Sequence, residues 1–267
     1  MKGKSMNYSC CIDMMFSELD FYGRISEVKK CGIDAVEFWK WSNKDIERVC
    51  NEKEKNGLGF SVFNIDCKNA SLSNDLSRGI LNVGRKEEFL SALDESIPIY
   101  RKLGACGMIV LVGETSDSLP IIKQLDNVYD CLNAAAPVAE KNGINLVVEP
   151  LNNIDRKNYF MPYANDLFEI LKSVKSPSVK MLYDIYHQNM MGDFSIESIR
   201  ENIDFIGHFH VADCPGRHEP GTGNVDYRKI ISEIKETGYK GYIGLEYRAT
   251  KRDSDTFGFL EGDIHRV

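Results

Sequence analysis

Four apolar stretches in the second half of the chain each carry one polar side chain close to the end of the stretch. These residues are Glu149, Asp184, His210 and Glu246, and successive members lie 35, 26 and 36 residues apart. Each interval has room for about one strand and one helix, which predicts consecutive strand–helix units with parallel strands. Because the carboxyl ends of parallel strands meet on one face of a barrel, the spacing predicts that the four side chains converge.

The alternation of residues within these stretches supports the same placement. Successive side chains of a strand point to opposite faces, so residues two apart share a face. In the first stretch Val147 and Glu149 share one face, while Leu146 and Val148 lie on the other. In each of the four stretches the face opposite the polar residue is apolar, as packing against outer helices requires. A single Glu or Asp at a strand end is usually solvated or caps a helix, but four in register favour one shared site.

The chemistry of this set points to a bound metal ion. Three carboxylates and one imidazole form a mostly hard-oxygen set that suits one divalent cation. We predict Mn²⁺ or Mg²⁺ as the favoured ion, with Co²⁺ and Zn²⁺ also compatible with these ligands. The predicted metal ligands are therefore Glu149, Asp184, His210 and Glu246.

The rest of the chain alternates in the same way between short β-rich runs and longer amphipathic runs. Further strands are predicted at 8–16, 35–39, 59–66 and 108–113. Helices are predicted near 20–31, 43–55, 86–103, 121–142, 163–175, 196–203 and 226–237, with a last helix beyond Asp253. Glycines at 32, 143 and 238 stand where helices should end. Eight such units form the (β/α)₈ or TIM barrel, an α/β fold, and no linker or charge block divides residues 1–267, so we predict a single domain.

Two connections are longer than a barrel requires. Residues 67–85 follow the third predicted strand, and residues 214–225 follow the seventh. Both should lie at the carboxyl ends of the strands, where barrels carry their active-site loops. We predict ordered loops that cover a small-molecule site, and a purely decorative insertion stays open for residues 67–85.

Composition disfavours several classes of partner. A net charge of −7 and a pI of about 5.4 disfavour a broad surface for nucleic acid or for anionic membranes. The eight cysteines form no CxxC pair, the N-terminal residues lack a secretory apolar core, and no apolar run reaches membrane-spanning length. We expect a cytoplasmic protein with reduced thiols that binds a small molecule, neither nucleic acid nor membrane; a homo-oligomer is compatible with the sequence.

Several longer segments make the chain resemble the xylose-isomerase-like barrel superfamily, and in particular its hydroxypyruvate-isomerase-like branch. The long and specific segment is GHFHVADCPGRHEPGTGNVDY at 207–227; shorter matches lie at 78–89, 147–153, 184–187 and 238–249. The resemblance implies one divalent metal at the Glu, Asp, third-ligand and Glu positions, and interconversion of hydroxypyruvate and tartronate semialdehyde. His210 departs from the Gln often found in hydroxypyruvate isomerases and resembles the ketose 3-epimerases, which also have counterparts of His187 and Asp155.

The predicted reaction moves a proton on a carbon next to a carbonyl. Glu149 and Glu246 are the candidate catalytic groups, because monodentate metal binding leaves each a second oxygen near the substrate. His187 is expected to hydrogen-bond a substrate oxygen, and Arg217 to bind a substrate carboxylate or hydroxyl. Asp155 is the third candidate for substrate binding, by its resemblance to the acidic residue of the epimerases.

Four further residues receive interpretations of lower weight. Glu37 is predicted to point into the barrel as an inner polar group without an identified partner, and His208 to lie one layer below His210. Trp39 and Trp41 are interpreted as core aromatics in preference to pocket walls.

Other functions of the same superfamily remain as alternatives. A ketose 3-epimerase, or a lyase or deglycosidase acting on an oxidised (3-oxo) sugar, would use the same metal and base. An abasic-site endonuclease would need a three-metal cluster with several more histidines, whereas the chain has five histidines and an acidic balance. We therefore predict a keto-acid or ketose as the substrate and disfavour DNA.

Overall fold

Strands and helices alternate along the whole of residues 6–260, the part of the chain that the computed structural model describes. Within these residues the strands are β1 (Asn7–Cys11), β2 (Ala35–Glu37), β3 (Gly59–Phe60), β4 (Val62–Asn64), β5 (Gly107–Leu111), β6 (Leu146–Glu149), β7 (Val179–Asp184), β8 (Ile206–Val211) and β9 (Tyr242–Leu245). The helices are α1 (Phe21–Lys30), α2 (Ile46–Lys55), α3 (Ala70–Leu76), α4 (Lys86–Leu103), α5 (Ile121–Asn142), α6 (Ala164–Val174), α7 (Ile185–Met191), α8 (Ile196–Glu201) and α9 (Tyr227–Glu236).

All strands belong to one parallel sheet that closes on itself. The order is β3-β2-β1-β9-β8-β7-β6-β5-β4, and β1 pairs with both β2 and β9. The two end strands, β3 and β4, are consecutive in the chain and are separated by Ser61. The Ser61 N–H donates to the carbonyl of Val36 in β2 (3.1 Å), and its carbonyl accepts from Gly107 in β5 (3.1 Å). The third predicted strand is thus one barrel strand interrupted at a single residue, and the predicted (β/α)₈ class is confirmed.

The structure departs from the predicted elements in four places. β1 ends at Cys11, not at residue 16, because the Cys11 carbonyl accepts from the N–H groups of Met14 and Met15 in a turn (3.1 and 3.0 Å). The predicted loop 67–85 contains α3, whose start is capped by Asn69, and α7 follows directly on β7. The chain beyond Asp253 forms short 3₁₀ turns to Leu260, and the rest of the predicted last helix lies outside the described residues.

Apolar packing between the sheet and the outer helices supplies the main core. Phe38, Phe60 and Phe63 form one aromatic cluster, with ring centroids 4.9 Å apart for the first pair and 6.2 Å for the second and third. Burying side chains of this size stabilises the fold by about 1.5–3 kcal/mol each. The barrel is therefore held mainly from outside, which leaves its interior free to carry polar groups.

Two expectations from composition can be compared with the structure. No helix within residues 6–260 is long and apolar enough to cross a membrane. All eight cysteines lie within the described residues and are free thiols.

The glycine that ends α5 can be used to test the cost of a left-handed backbone conformation for a residue other than glycine. Gly143 has φ +63°, and a Cβ placed there would meet no atom within 4 Å, so Gly143→Ala adds backbone strain without a clash. We expect a loss of about 1 kcal/mol, which for a chain of this size lowers Tm by about 2–4 °C.

Gly258→Ala is the matched control, because its Cβ would also meet open space while its φ lies outside the left-handed region. Its Tm in thermal unfolding followed by circular dichroism should stay close to that of the parent. Equal Tm values for the two variants would contradict the explanation.

Candidate functional site

The four residues predicted as metal ligands meet at the carboxyl ends of β6 to β9. Glu149 and Asp184 are the last residues of β6 and β7, His210 lies near the end of β8, and Glu246 directly follows β9. Parallel register aligns the strands, with Asp184 opposite His210 and His210 opposite Gly244. All four side chains are buried, and each offers one ligand atom within 4.8 Å of the others. The convergence inferred from spacing is therefore present in the structure.

Two of the three carboxylates have one oxygen held by the protein and the other turned toward the shared centre. Oδ1 of Asp184 accepts from the backbone N–H groups of Tyr186 (2.8 Å) and His187 (3.2 Å) at the start of α7. Oε1 of Glu246 accepts from the indole N–H of Trp39 at 2.7 Å. Oδ2 of Asp184 and Oε2 of Glu246 remain for the centre, where the guanidinium of Arg217 contacts both of them.

Glu149 differs from the other two carboxylates. Among the described residues its Oε1 is buried without a hydrogen-bond partner, and it lies 3.7 Å from Nδ1 of His210. Burial raises the pKa of Glu149 to about 7, helped by the nearby charges of Glu246 and Asp184 and opposed by His210. Burial would also raise the pKa of Glu246, but Arg217, His210 and the Trp39 hydrogen bond hold that pKa well below its usual range. The two glutamates therefore have distinct protonation properties.

A second polar layer lies beneath the centre and contains Glu37 together with its hydrogen-bond partners. Its Oε2 accepts from the hydroxyls of Ser9 and Ser61, both at 2.6 Å, and lies 3.2 Å from Nε2 of His208. Its Oε1 lies 2.9 Å from Nε2 of His210. Burial opposes ionisation of Glu37, yet the two imidazoles keep its pKa well below the usual range. Glu37 is thus an inward, ionised group, and His208 lies in the same layer, as predicted.

Gly244 on β9 makes room for this layer. A Cβ at this position would lie 2.6 Å from Cδ2 of His210, 2.7 Å from Nε2 of His208 and 2.8 Å from Oε1 of Glu37. Contacts this short cannot be accommodated without moving buried groups. The absence of a side chain at Gly244 therefore allows the imidazole of His210 to occupy its place.

A cavity of about 500 Å³ opens above the four residues at the carboxyl ends of the strands. Its wall includes Glu149 and Glu246 together with the three residues predicted to bind substrate, Asp155, His187 and Arg217. Asp184 and His210 lie below this wall and are 1% exposed. All seven predicted site residues are thus brought to one place; their roles remain predictions.

Arg217 is presented to the cavity by the long loop after β8. The loop is organised by the buried carboxylate of Asp213, which accepts hydrogen bonds from three backbone N–H groups, those of Cys214, Gly221 and Val225. The N–H of Arg217 donates to the Asp213 carbonyl (3.0 Å), and its carbonyl accepts from Arg248 (2.9 Å). Arg217 itself has φ +56° and places its guanidinium 5.3 Å from the centre of the Tyr186 ring. Asp213 therefore orders this loop.

His187 and Asp155 form another part of the cavity wall. The Nδ1 of His187 accepts from the backbone N–H of Asn152 at 3.1 Å. Burial lowers the pKa of His187 to about 4, so the neutral ring carries its proton on Nε2, which lies 3.5 Å from Oδ2 of Asp184. Asp155 accepts from Asn152 (3.0 Å) and from the hydroxyl of Tyr186 (2.7 Å). This part of the wall offers a neutral donor and a carboxylate to a bound molecule.

Part of the cavity wall was not predicted from the sequence. Trp39 is 39% exposed and lines the cavity, so its interpretation as a core aromatic is wrong, whereas Trp41 is buried and fits that interpretation. The available signal was that Trp39 stands two residues after the inward Glu37. Polar residues from other strand ends and from the loops complete the wall, among them Asp13, Lys40, Asn64, Ser77 and Arg156.

The residues at the centre fit a divalent cation. Two buried atoms that face the shared point, Oε1 of Glu149 and Nδ1 of His210, lack hydrogen-bond partners among the described residues. Buried polar atoms normally have hydrogen-bond partners. Two ligand atoms without such partners, next to further carboxylate oxygens, therefore form a suitable site for a cation. Carboxylate and imidazole ligands are compatible with Mn²⁺, Mg²⁺, Co²⁺ or Zn²⁺.

Comparisons with known proteins agree with this architecture. The family model for the xylose isomerase-like TIM barrel matches residues 25–261. Hydroxypyruvate isomerase of Escherichia coli is 30% identical over 244 residues, covering 91% of this chain and 93% of that protein. The 2-oxo-tetronate isomerase of Cupriavidus necator is 27% identical over 261 residues, covering 97% and 99%. A crystal structure of an AP endonuclease, family 2, from Brucella melitensis superposes with TM-score 0.88 at 24% identity over 98% of this chain and 100% of that chain, which shows the fold alone.

Because the pKa values of the two glutamates shift in opposite directions, replacing each by Gln should have opposite effects on stability. The comparison uses protein from which a chelator has removed any metal. Because the pKa of Glu149 rises from 4.5 to about 7 on folding, the native state binds more protons than the unfolded state between these values. The free energy of unfolding therefore falls as pH rises through this window. Glu149→Gln removes the effect and should stabilise the protein at about pH 8 by on the order of 2 kcal/mol, with little change near pH 5.

Glu246→Gln is the matched comparison. Because the pKa of Glu246 is lowered in the folded state, its charge stabilises the protein above the usual pKa, and its loss should decrease Tm at about pH 8. Thermal unfolding at the two pH values measures both variants. Shifts of the same sign at the higher pH would refute the contrast.

Proposed function

Because the chain belongs to the xylose isomerase-like TIM-barrel family, we propose that it is a divalent-metal-dependent isomerase that moves a proton on a small 2-keto acid through an enediolate. The family resemblance predicted from the sequence is confirmed by this match. The observation that carries the proposal is the convergence of Glu149, Asp184, His210 and Glu246 on one buried point below a cavity.

The two glutamates are suited to different roles in the reaction. A divalent cation held by the four residues would polarise the substrate carbonyl and stabilise the enediolate. Glu149 is the better placed of the two glutamates to exchange a proton, because it lines the cavity and its carboxylate is not tied by the hydrogen bonds that hold Glu246. Glu246 is suited to the role of fixed ligand, because Trp39 holds its Oε1 and its pKa stays well below the usual range.

The remaining predicted residues would bind and orient the substrate. Nε2 of the neutral His187 can donate to a substrate oxygen, and Arg217 can pair with a substrate carboxylate. Asp155, held by Asn152 and Tyr186, is placed to accept from a substrate hydroxyl. An arginine beside the acidic centre is the feature that favours a keto acid over a neutral sugar.

Hydroxypyruvate, converted to tartronate semialdehyde, is the substrate we propose first. The E. coli hydroxypyruvate isomerase is 30% identical over most of both chains, and hydroxypyruvate contains the adjacent carbonyl and hydroxyl that the reaction needs.

The volume of the cavity favours a longer substrate as the second candidate. At about 30 Å³ per non-hydrogen atom, as in liquid water, a three-carbon keto acid needs about 200 Å³. The cavity of about 500 Å³ exceeds this value more than twofold. A four-carbon acid such as 2-oxo-tetronate would fill more of it, and so would a ketose handled by 3-epimerisation or a 3-oxo sugar handled by a lyase.

Hydrogen–deuterium exchange in the substrate tests these possibilities together. The protein would be incubated with Mn²⁺ in D₂O with hydroxypyruvate, 2-oxo-tetronate, ketoses of three to six carbons and 3-oxo glycosides, and deuterium would be followed by NMR and mass spectrometry. We expect deuterium at the carbon next to the carbonyl of a keto acid. Glu149→Gln should bind Mn²⁺ but lower the exchange rate by at least about 100-fold. Uptake by none of the panel would refute the proposal, and uptake by ketoses alone would favour the epimerase.

The role of Arg217 can be separated from that of the centre by comparing substrates. Arg217→Lys keeps the positive charge but loses the paired N–H donors, so we expect KM for keto acids to rise about 10-fold or more. KM for neutral ketoses serves as the control within the same variant and should change little. Steady-state kinetics with both substrate classes provides the measurement, and equal KM changes for the two would rule out carboxylate binding by Arg217.

A further inference from the structure

Trp39 is held in place on both sides of its backbone. It follows β2, and its N–H donates to Oδ2 of Asp13 at 2.7 Å. The same carboxylate oxygen lies 3.2 Å from Nζ of Lys44. The carbonyl of Trp39 accepts from the N–H of Asn64 at 2.9 Å, at the end of β4. The indole is therefore carried by a fixed backbone, although the residue is 39% exposed.

The side chain of Trp39 directs its N–H away from water and onto a metal-ligand candidate. Nε1 donates to Oε1 of Glu246 at 2.7 Å, a distance typical of a hydrogen bond to a charged acceptor. The thiol of Cys11, which is a weak donor, also lies 3.9 Å from this oxygen. The indole thus supplies the principal hydrogen bond to Oε1.

A comparison with Asp184 shows what the hydrogen bond from Trp39 does. Oδ1 of Asp184 is fixed by two backbone N–H groups of α7, which leaves Oδ2 for the centre. Glu246 directly follows β9, and within residues 6–260 no α-helix begins after it to play that part. Trp39 gives Glu246 the restraint that α7 gives Asp184.

We propose that Trp39 is a positioning residue for the metal centre: its indole N–H holds Oε1 of Glu246 and so directs Oε2 toward the cation. The inference rests on the metal centre of the proposed function and is independent of the substrate. Hydrogen bonds that orient the ligands of a metal typically change its affinity by about 10–100-fold when they are removed. Trp39 therefore contributes to metal binding without touching the metal.

Trp39→Phe removes the N–H and keeps an aromatic ring at the cavity wall. We expect Mn²⁺ to bind about 10–100-fold more weakly, measured by titration of the electron paramagnetic resonance signal of free Mn²⁺. Trp41→Phe is the matched control, because the Trp41 indole donates to the hydroxyl of Ser96 (3.0 Å) in the core and does not line the cavity. It should lower Tm and leave the Mn²⁺ affinity unchanged.

The indole signals provide a readout that a purely structural role would not move. The chain has two tryptophans, so a ¹⁵N-labelled sample should give two indole N–H signals, which the two Phe variants assign. In metal-free protein Glu246→Ala should shift the Trp39 signal and leave the Trp41 signal in place, and adding Mg²⁺ to the parent should also shift the Trp39 signal.

Three results would overturn the inference, and they are distinguishable. Equal Mn²⁺ affinity of the parent and Trp39→Phe would remove the positioning role while leaving the metal centre intact. A Trp39 signal that ignores Glu246→Ala would show that Glu246 is not its acceptor. A parent that binds no Mn²⁺ would refute the metal centre of the proposed function and the inference with it.

Discussion

Three carboxylates buried within reach of one another are the constraint on which the rest of the site depends. Ionised groups in such a place repel each other and lose hydration, so each needs compensation from the protein. Asp184 receives two backbone N–H groups of α7, and Glu246 receives Trp39 and Arg217. Oε1 of Glu149 accepts no hydrogen bond among the described residues, and the pKa of Glu149 rises despite the nearby imidazole of His210. Uneven compensation of similar groups is what gives two glutamates different chemical properties.

The same constraint explains why the inside of the barrel is polar at this end. The imidazole of His210 lies between the upper carboxylates and Glu37, with Nδ1 facing Glu149 and Glu246 and Nε2 facing Glu37. Glu37 is itself supported by hydroxyl donors from two other strands. Carboxylates therefore lie both above and below the imidazole of His210, which lets the buried acidic groups coexist with an apolar outer core.

The sequence was sufficient for the barrel and for the convergence of Glu149, Asp184, His210 and Glu246, because strand periodicity and spacing fix which side chains point inward at one face. It was insufficient where a single contact decides the outcome. The cap by Asn69 turns a Ser- and Asn-rich segment into α3, and the partner of Trp39 lies 207 residues away. Local patterns cannot show such partners. The inward direction of Glu37 was predictable by alternation, but the partners that fill the space above Gly244 were not.

The interruption of the third barrel strand ties the architecture to the chemistry. Ser61 joins the two ends of the sheet through its backbone, and its hydroxyl supports Glu37 beneath His210. One residue thus takes part both in completing the ring of strands and in seating an imidazole of the centre. In a partly folded chain whose barrel is still open, Glu37 and His210 would lack this support. Tight binding of the proposed cation would therefore require the closed barrel.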